Sequence, residues 1–95
     1  MRTTKQSDPD KLVKKHESLT HSDAVKVVSH VQRDKAEWVL NTVMIEDCDV
    51  PFKYKRKQQY QSLKGARVNI TYYPTVEVVA GMQFEIMTVV RIKKS

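Results

Sequence analysis

The chain contains one cysteine, two glycines and three prolines among its 95 residues. The lone Cys48 cannot form an intramolecular disulfide, although secreted domains of this size usually depend on several. Two glycines are too few for the glycine-rich loops that hold phosphates in nucleotide-binding enzymes. So few loop-forming residues predict a folded domain with short connections.

Long apolar runs are also absent from the sequence. The residues between Arg2 and Ser7 are polar and lack the apolar stretch of a secretory signal. No segment approaches the roughly 18 consecutive apolar residues of a membrane-spanning helix. We therefore expect a cytoplasmic protein with no membrane partner.

Length and composition indicate one globular domain. Apolar residues make up 40% of the chain and charged residues 29%, which is the range of folded proteins. Residues 1–7 are polar and aperiodic, so we expect a disordered tail there. Residues 8–95 should form the single domain, and its core should be small because a short chain buries a limited share of its surface.

The first part of this domain, residues 8–35, shows helical spacing. Asp8-Pro9 is typical of a helix start, because Asp accepts bonds from the free N–H groups of the first turn and Pro fits the first helical position. Over residues 22–33 the apolar positions fall three and four apart, at Ala24, Val25, Val27, Val28 and Val31. We predict a helical segment here, although β-branched valines also suit a strand.

From residue 36 the apolar period changes to two, which predicts a sheet over residues 36–95. The predicted strands are Glu37–Glu46, Val50–Lys57, Ala66–Tyr73, Thr75–Val79 and Met82–Ile92. Pro74 should end the third strand because it removes an N–H group from the ladder. Gly81 marks either a tight hairpin turn or a kink in one long strand.

These elements define the predicted fold class. It is α+β, with an N-terminal helical segment followed by a four- to five-stranded antiparallel sheet, either open or closed into a small barrel. The alternative is a mainly β barrel of the oligonucleotide-binding (OB) or SH3-like kind. We assign Trp38 and Met44 of the first strand to the core. Met87 and Val89, on the second face of the last strand, mark either a covered surface or an oligomer contact.

Charge is distributed unevenly along the sequence. The 17 basic and 11 acidic residues give a net charge of +6. Residues 50–76 include no acidic residue and carry the whole excess on six basic ones, which are Lys53, Lys55, Arg56, Lys57, Lys64 and Arg67. Most of the aromatic residues lie in the same window. Basic side chains attract a phosphate backbone and exposed aromatic rings stack on unpaired bases, so the window predicts a surface for single-stranded nucleic acid or another polyanion.

Alternation along the strands selects the aromatic members of this candidate site. Tyr60 lies in a loop and Tyr73 shares a side with Arg67, so these two rings should be accessible. The candidate nucleic-acid-binding residues are Lys53, Lys55, Arg56, Lys57, Tyr60, Lys64, Arg67 and Tyr73. The competing interpretation is a solvated sheet face whose lysines discourage strand-to-strand aggregation.

Patterns for catalysis and metal binding are missing. His16, His21 and His30 have no partner at a metal-ligand spacing, and the acidic residues around Cys48 lack the glycine and the later glutamate of a calcium loop. We therefore expect no enzyme, no cofactor and no metal. The functional hypothesis is a small basic domain that binds single-stranded nucleic acid or another polyanion, and the alternative is a protein-interaction or self-associating module.

Overall fold

The computed structural model describes residues 19–95, and these form five β-strands without a helix. The strands are β1 (Thr20–Lys35), β2 (Trp38–Ile45), β3 (Phe52–Arg56), β4 (Arg67–Val79) and β5 (Met82–Lys94). The sheet predicted over residues 36–95 is confirmed. The predicted tail at residues 1–7, the helix start at Asp8 and the side chain of His16 lie outside the described residues.

The five strands close into a barrel in the order β1-β2-β3-β5-β4. The long β1 pairs with β4 along its first part and with β2 along its second part. All neighbouring strands are antiparallel except β3 and β5, which are parallel. The described domain is therefore mainly β, as in the alternative prediction, so the α+β class is wrong for this part of the chain. The sheet is mostly antiparallel, as predicted, and the parallel pair of β3 and β5 makes it mixed.

The helix predicted over residues 22–33 is wrong because this segment is part of β1. The register of β1 shifts twice, between Ser22 and Val25 and between Val27 and Ser29. Each shift adds a residue to β1, so the inward-facing Ser22 and Val25 are three positions apart, and so are Val27 and His30. Inward-facing residues three positions apart are also typical of a helix, which is why the spacing in this irregular strand favoured a helix.

The first irregularity in β1 is held by side chains from β4. Ala24 has a positive φ of 55°, which is uncommon for a residue with a Cβ atom. Its N–H group donates to Asn69 Oδ1 at 2.9 Å, and its carbonyl oxygen accepts from Arg67 Nη1 at 2.9 Å. The bulge therefore keeps both main-chain groups bonded.

The core lies inside the barrel, on one face of each strand. In β2 the buried residues are Val39, Asn41, Val43 and Ile45. Val43 and Ile45 pack with Val27, Phe52, Val68, Ile70 and Ile92 from the other strands. Trp38 and Met44 alternate with the buried set and therefore lie on the outer face, so their assignment to the core is wrong. Met87 and Val89 are partly buried and pack against the core. Of the two alternatives for this face, the structure has the covered surface.

The predicted end of a strand at Pro74 is also wrong, since β4 continues to Val79. Pro74 pairs with Met87, whose N–H group donates instead to the carbonyl oxygen of Pro51 at 2.8 Å. The Pro74–Met87 pair is therefore one without hydrogen bonds between its members, and the nitrogen of Pro74 faces away from β5. β1 pairs with β4 only as far as Tyr72, so the proline removes no bond from the ladder.

The far ends of β4 and β5 form a hairpin, residues 74–86, which we call the arm. Its turn is Ala80-Gly81, and both residues have positive φ values of 53° and 80°. Two such residues between the paired Val79 and Met82 form the tight two-residue turn that suits the twist of a hairpin. Of the two alternatives left open at Gly81, the structure has the hairpin turn.

Candidate nucleic-acid interface

The pairing of β3 determines which of its side chains face outward. Phe52 is buried and pairs with Val43, another buried residue. Lys53 pairs with Thr42, and Lys55 pairs with Leu40. Because directly opposed residues lie on the same side of a sheet, both lysines share the outer face of β2 and β3.

Trp38 lies on the same outer face, where β2 begins. Its side chain is 38% exposed. Lys57 Nζ lies 4.3 Å from the centre of a Trp38 ring, and Lys55 Nζ lies 5.8 Å from it. Both distances are within the range of a cation–π contact. The structure therefore brings two of the predicted lysines to Trp38, a residue outside the predicted site.

A groove of about 760 Å³ runs over this outer face. Its walls include side chains from all five strands, among them Arg33, Leu40, Thr42, Lys53, Lys55, Glu77, Ile86 and Thr88. Three of these residues are basic and one is acidic. The groove is therefore a positively charged channel with apolar patches, as a surface for a phosphate backbone and its bases requires.

The acidic residue of the groove is bonded to one of the lysines. Lys53 Nζ donates to Glu77 Oε1 at 2.7 Å, and both side chains are partly exposed. Glu77 belongs to the arm, so this ion pair joins the arm to β3. Partly exposed ion pairs contribute only about 0–1 kcal/mol, so a phosphate group can compete for the lysine.

Tyr73, the second predicted aromatic, is half-buried on the same face. It pairs with Thr88 of β5, and Thr88 in turn lies beside Lys53 of β3. One row across the sheet thus contains Thr42, Lys53, Thr88 and Tyr73. Of the eight predicted site residues, the structure brings Lys53, Lys55, Lys57 and Tyr73 to one face.

Arg56 and Tyr60 lie elsewhere, around a second cavity of about 310 Å³. The guanidinium of Arg56 is 5.1 Å from the centre of the Tyr54 ring. The main chain of Tyr60 bonds to the side chain of Gln32, whose Nε2 donates to the Tyr60 carbonyl oxygen at 2.8 Å. Burial raises the pKa of Tyr54 above 10.0, and the positive charge of Arg56 partly offsets this.

Lys64 and Arg67 lie near the contact between β1 and β4 and do not line the groove. Lys64 and Gly65 form the turn before β4, where the Gly65 N–H group donates to the Val27 carbonyl oxygen at 2.7 Å. Arg67 holds the bulge at Ala24 as described above. The eight predicted residues are therefore divided among three regions of the surface.

The two described histidines form hydrogen bonds with neighbouring residues, and the described cysteine is half-buried. His30 Nε2 donates to Asn41 Oδ1 at 2.8 Å, and His30 Nδ1 accepts from the Leu63 N–H group at 2.8 Å. The exposed ring of His21 bonds to Asp23 and Thr71. Cys48 has a free, half-buried thiol. Across residues 19–95 no cluster of three or more potential metal ligands occurs, and no helix has the length and apolar content to cross a membrane.

Comparison with models of known protein families, with curated proteins and with solved structures finds no match to this chain.

Sequence reasoning missed two residues of the groove face, Trp38 and Arg33. Alternation along β2 places Trp38 on the face opposite its buried residues. Both faces of β2 are rich in apolar residues, however, so the sequence did not show which face is exposed. Only the register between β2 and β3 shows that the tryptophan and the lysines share a side. Arg33 was hidden because β1 was interpreted as a helix.

Proposed function

We propose that the protein is a non-catalytic domain that binds single-stranded nucleic acid along the outer groove of the barrel. The observation that carries the proposal is the placement of Lys55 and Lys57 around the exposed Trp38, on the same outer face as the groove that Lys53 and Arg33 line. The basic side chains contact the phosphates and the indole stacks on a base.

The topology of the barrel supports this proposal. A five-stranded barrel in which β1 pairs with both β2 and β4, and β3 runs parallel to β5, is OB-like. OB domains bind oligonucleotides on the face of strands 2 and 3, between the β1–β2 and β4–β5 loops. The groove described here occupies that face. The likeness is one of fold, so the functional argument rests on the side chains.

The contact between Lys57 and Trp38 is compatible with stacking of a base. An exposed cation–π contact contributes about 0.5–1 kcal/mol, whereas a base stacked on an aromatic ring contributes about 1–3 kcal/mol. A base can therefore displace the lysine from the indole. The released ammonium group then lies close to the phosphate of the same nucleotide.

Charge reversal of the groove tests the proposal. We expect the triple variant Lys53→Glu, Lys55→Glu and Lys57→Glu to lose binding to a labelled oligothymidine in fluorescence anisotropy. The matched control is Lys26→Glu, Lys93→Glu and Lys94→Glu, which changes the net charge equally at exposed positions outside the groove. Circular dichroism verifies that both variants fold. Equal loss of binding in the two variants, or none in the first, would contradict the proposal.

Salt dependence provides a quantitative form of the same test. If Arg33, Lys53, Lys55 and Lys57 each contact a phosphate, log affinity should fall with log salt at a slope of about −3, taking roughly −0.7 per contact. A fourfold increase in salt should then weaken binding by about 50-fold. Affinity that is independent of salt would show that the groove does not bind a polyanion.

A further inference from the structure

The arm differs chemically from the rest of the surface. Its exposed apolar side chains include Val76, Val78, Met82 and Phe84, which are 58%, 64%, 61% and 46% exposed. Its only charged residues are Glu77 and Glu85, so residues 74–86 are acidic in a chain of net charge +6. Met82 and Phe84 share the face of the arm that carries Glu77, whereas Val76 and Val78 lie on the opposite face. Exposed apolar side chains of this size are typical of a protein contact.

One edge of the arm has free main-chain groups. The N–H group of Met87 faces β3, where it bonds to Pro51. Because outward and inward main-chain groups alternate along a strand, those of Glu85 and Gln83 face the same way. Among residues 19–95, only β4 pairs with residues 82–86. This edge has no lysine, proline or bulge, which are the features that usually prevent strand addition.

The opposite edge of the arm is protected. On β4 the outward main-chain groups belong to Pro74, Val76 and Val78, and Pro74 has no N–H group to donate. A symmetric pairing centred on Glu77 would place that carboxylate against its own copy, and like charges directly opposed are destabilising. The missing N–H group of Pro74 therefore makes strand addition less favourable at β4 than at β5.

We propose that the protein forms a homodimer through its β5 edges, which pair antiparallel about a two-fold axis at Phe84. This register places Gln83 opposite Glu85 of the partner subunit, so each such pair exchanges two main-chain hydrogen bonds. It also places Met82 against Ile86 of the partner subunit. No carboxylate faces another, and the two Phe84 side chains meet at the axis.

The pairing at the axis has a defined geometry. Main-chain groups of Phe84 face β4, so the two copies of Phe84 form a pair without mutual hydrogen bonds, in which the Cα atoms lie about 4.5 Å apart. The two rings then cover each other and the neighbouring methionines. Dimerisation uses the main-chain edge of β5. The arm also contributes Glu77 and Ile86 to the walls of the groove, but the charged and aromatic contacts proposed for nucleic acid come from Arg33, Lys53, Lys55, Lys57 and Trp38.

Two proline variants test the edge itself. Gln83→Pro removes an outward N–H group from β5, and the control Val78→Pro removes an outward N–H group from β4 in the same arm. In sedimentation velocity across micromolar concentrations, we expect the unchanged protein and Val78→Pro to dimerise. Gln83→Pro should raise the dissociation constant by roughly tenfold to hundredfold. Each subunit contributes one Gln83 N–H group, so the dimer loses two main-chain hydrogen bonds. A monomeric unchanged protein, or equal effects of the two variants, would overturn the proposal.

A cysteine at the axis tests the register. In a Cys48→Ser background, Phe84→Cys should form an intermolecular disulfide rapidly with oxidised glutathione, since closely opposed Cβ atoms suit that bond. The control Val78→Cys places the thiol on the β4 edge and should remain monomeric on a non-reducing gel. Preferential cross-linking of the control would refute the β5 interface. Nucleic-acid binding measured on the same samples distinguishes failure of this proposal from failure of the groove.

Discussion

Lys53 Nζ lies 2.7 Å from Glu77 Oε1, and this ion pair joins the central strand of the groove to the arm. It links residues 24 positions apart in the sequence. The Glu77 carboxylate neutralises the ammonium group of Lys53. In the unbound protein the groove therefore presents less positive charge than its basic residues alone would give. In the proposed complex, a phosphate takes the place of the Glu77 carboxylate beside Lys53.

Removal of this competition should strengthen binding. We expect Glu77→Gln to increase the affinity for an oligothymidine several-fold at low salt, because Lys53 no longer has to leave the carboxylate before it contacts a phosphate. Glu85→Gln, with the same change in charge on the other face of the arm, should have a much smaller effect. Anisotropy titrations at several salt concentrations measure both. A weaker Glu77→Gln protein would show that the ion pair orders the groove instead.

Trp38 should contribute to binding through its ring. We expect Trp38→Ala to weaken binding by about 1–3 kcal/mol with little change in the salt slope, because the lost contact is uncharged. Trp38→Phe should retain much of the affinity. Tyr60→Ala removes an exposed ring outside the groove and serves as the control. Quenching of the Trp38 fluorescence by oligothymidine gives an independent measurement, and its absence would contradict stacking.

Local sequence patterns predicted the sheet better than its connections. The period of two located β2, β3 and β5 to within a few residues, because alternating burial is a property of each strand alone. Register is different, since it depends on pairs distant in sequence. Whether Trp38 shares a face with Lys55 could not be read from either strand by itself.

The error at β1 has a similar origin. Local spacing favoured a helix, but the ladders to β2 and β4 bond this segment on both sides and override its local preference. The basic window of residues 50–76 identified the basic residues correctly, but it did not show which of them share a face of the barrel. Lys53 and Arg56 are three positions apart, yet they lie on opposite faces of β3.

His30 should matter for stability, unlike His21. Asn41 is only 3% exposed, and its Oδ1 accepts a bond from the His30 ring. His30→Ala leaves that oxygen and the Leu63 N–H group without their partner, so we expect a loss of about 1–3 kcal/mol in the free energy of unfolding. His21→Ala, at an exposed position, should change it by less than about 0.5 kcal/mol. Urea denaturation compares the two, and equal effects would contradict the structural role of His30.

Tyr54 should make the protein sensitive to alkali. Its pKa in the folded state is raised above 10.0, chiefly by burial. The neutral phenol is therefore favoured by folding, and this stability is present below the unfolded pKa of about 10 and lost as pH rises through the folded pKa. We expect Tyr54→Phe to reduce the fall of Tm above pH 10, and Tyr60→Phe to leave it unchanged. Thermal melts in alkaline buffers test this, and identical profiles for all three proteins would argue against it.

The double pairing of β1 also has a consequence for folding kinetics. The β1–β2 and β4–β5 hairpins form from neighbouring residues, whereas closure of β1 on β4 joins positions such as His21 and Thr71, which are 50 residues apart. Such distant contacts carry the largest loop-closure entropy, so closure should come last and folding should take milliseconds to seconds. Ile70→Val, at this junction, should accelerate unfolding and leave the folding rate nearly unchanged in stopped-flow measurements. A slower folding rate instead would show that the junction forms before the transition state, and that the ring closes early.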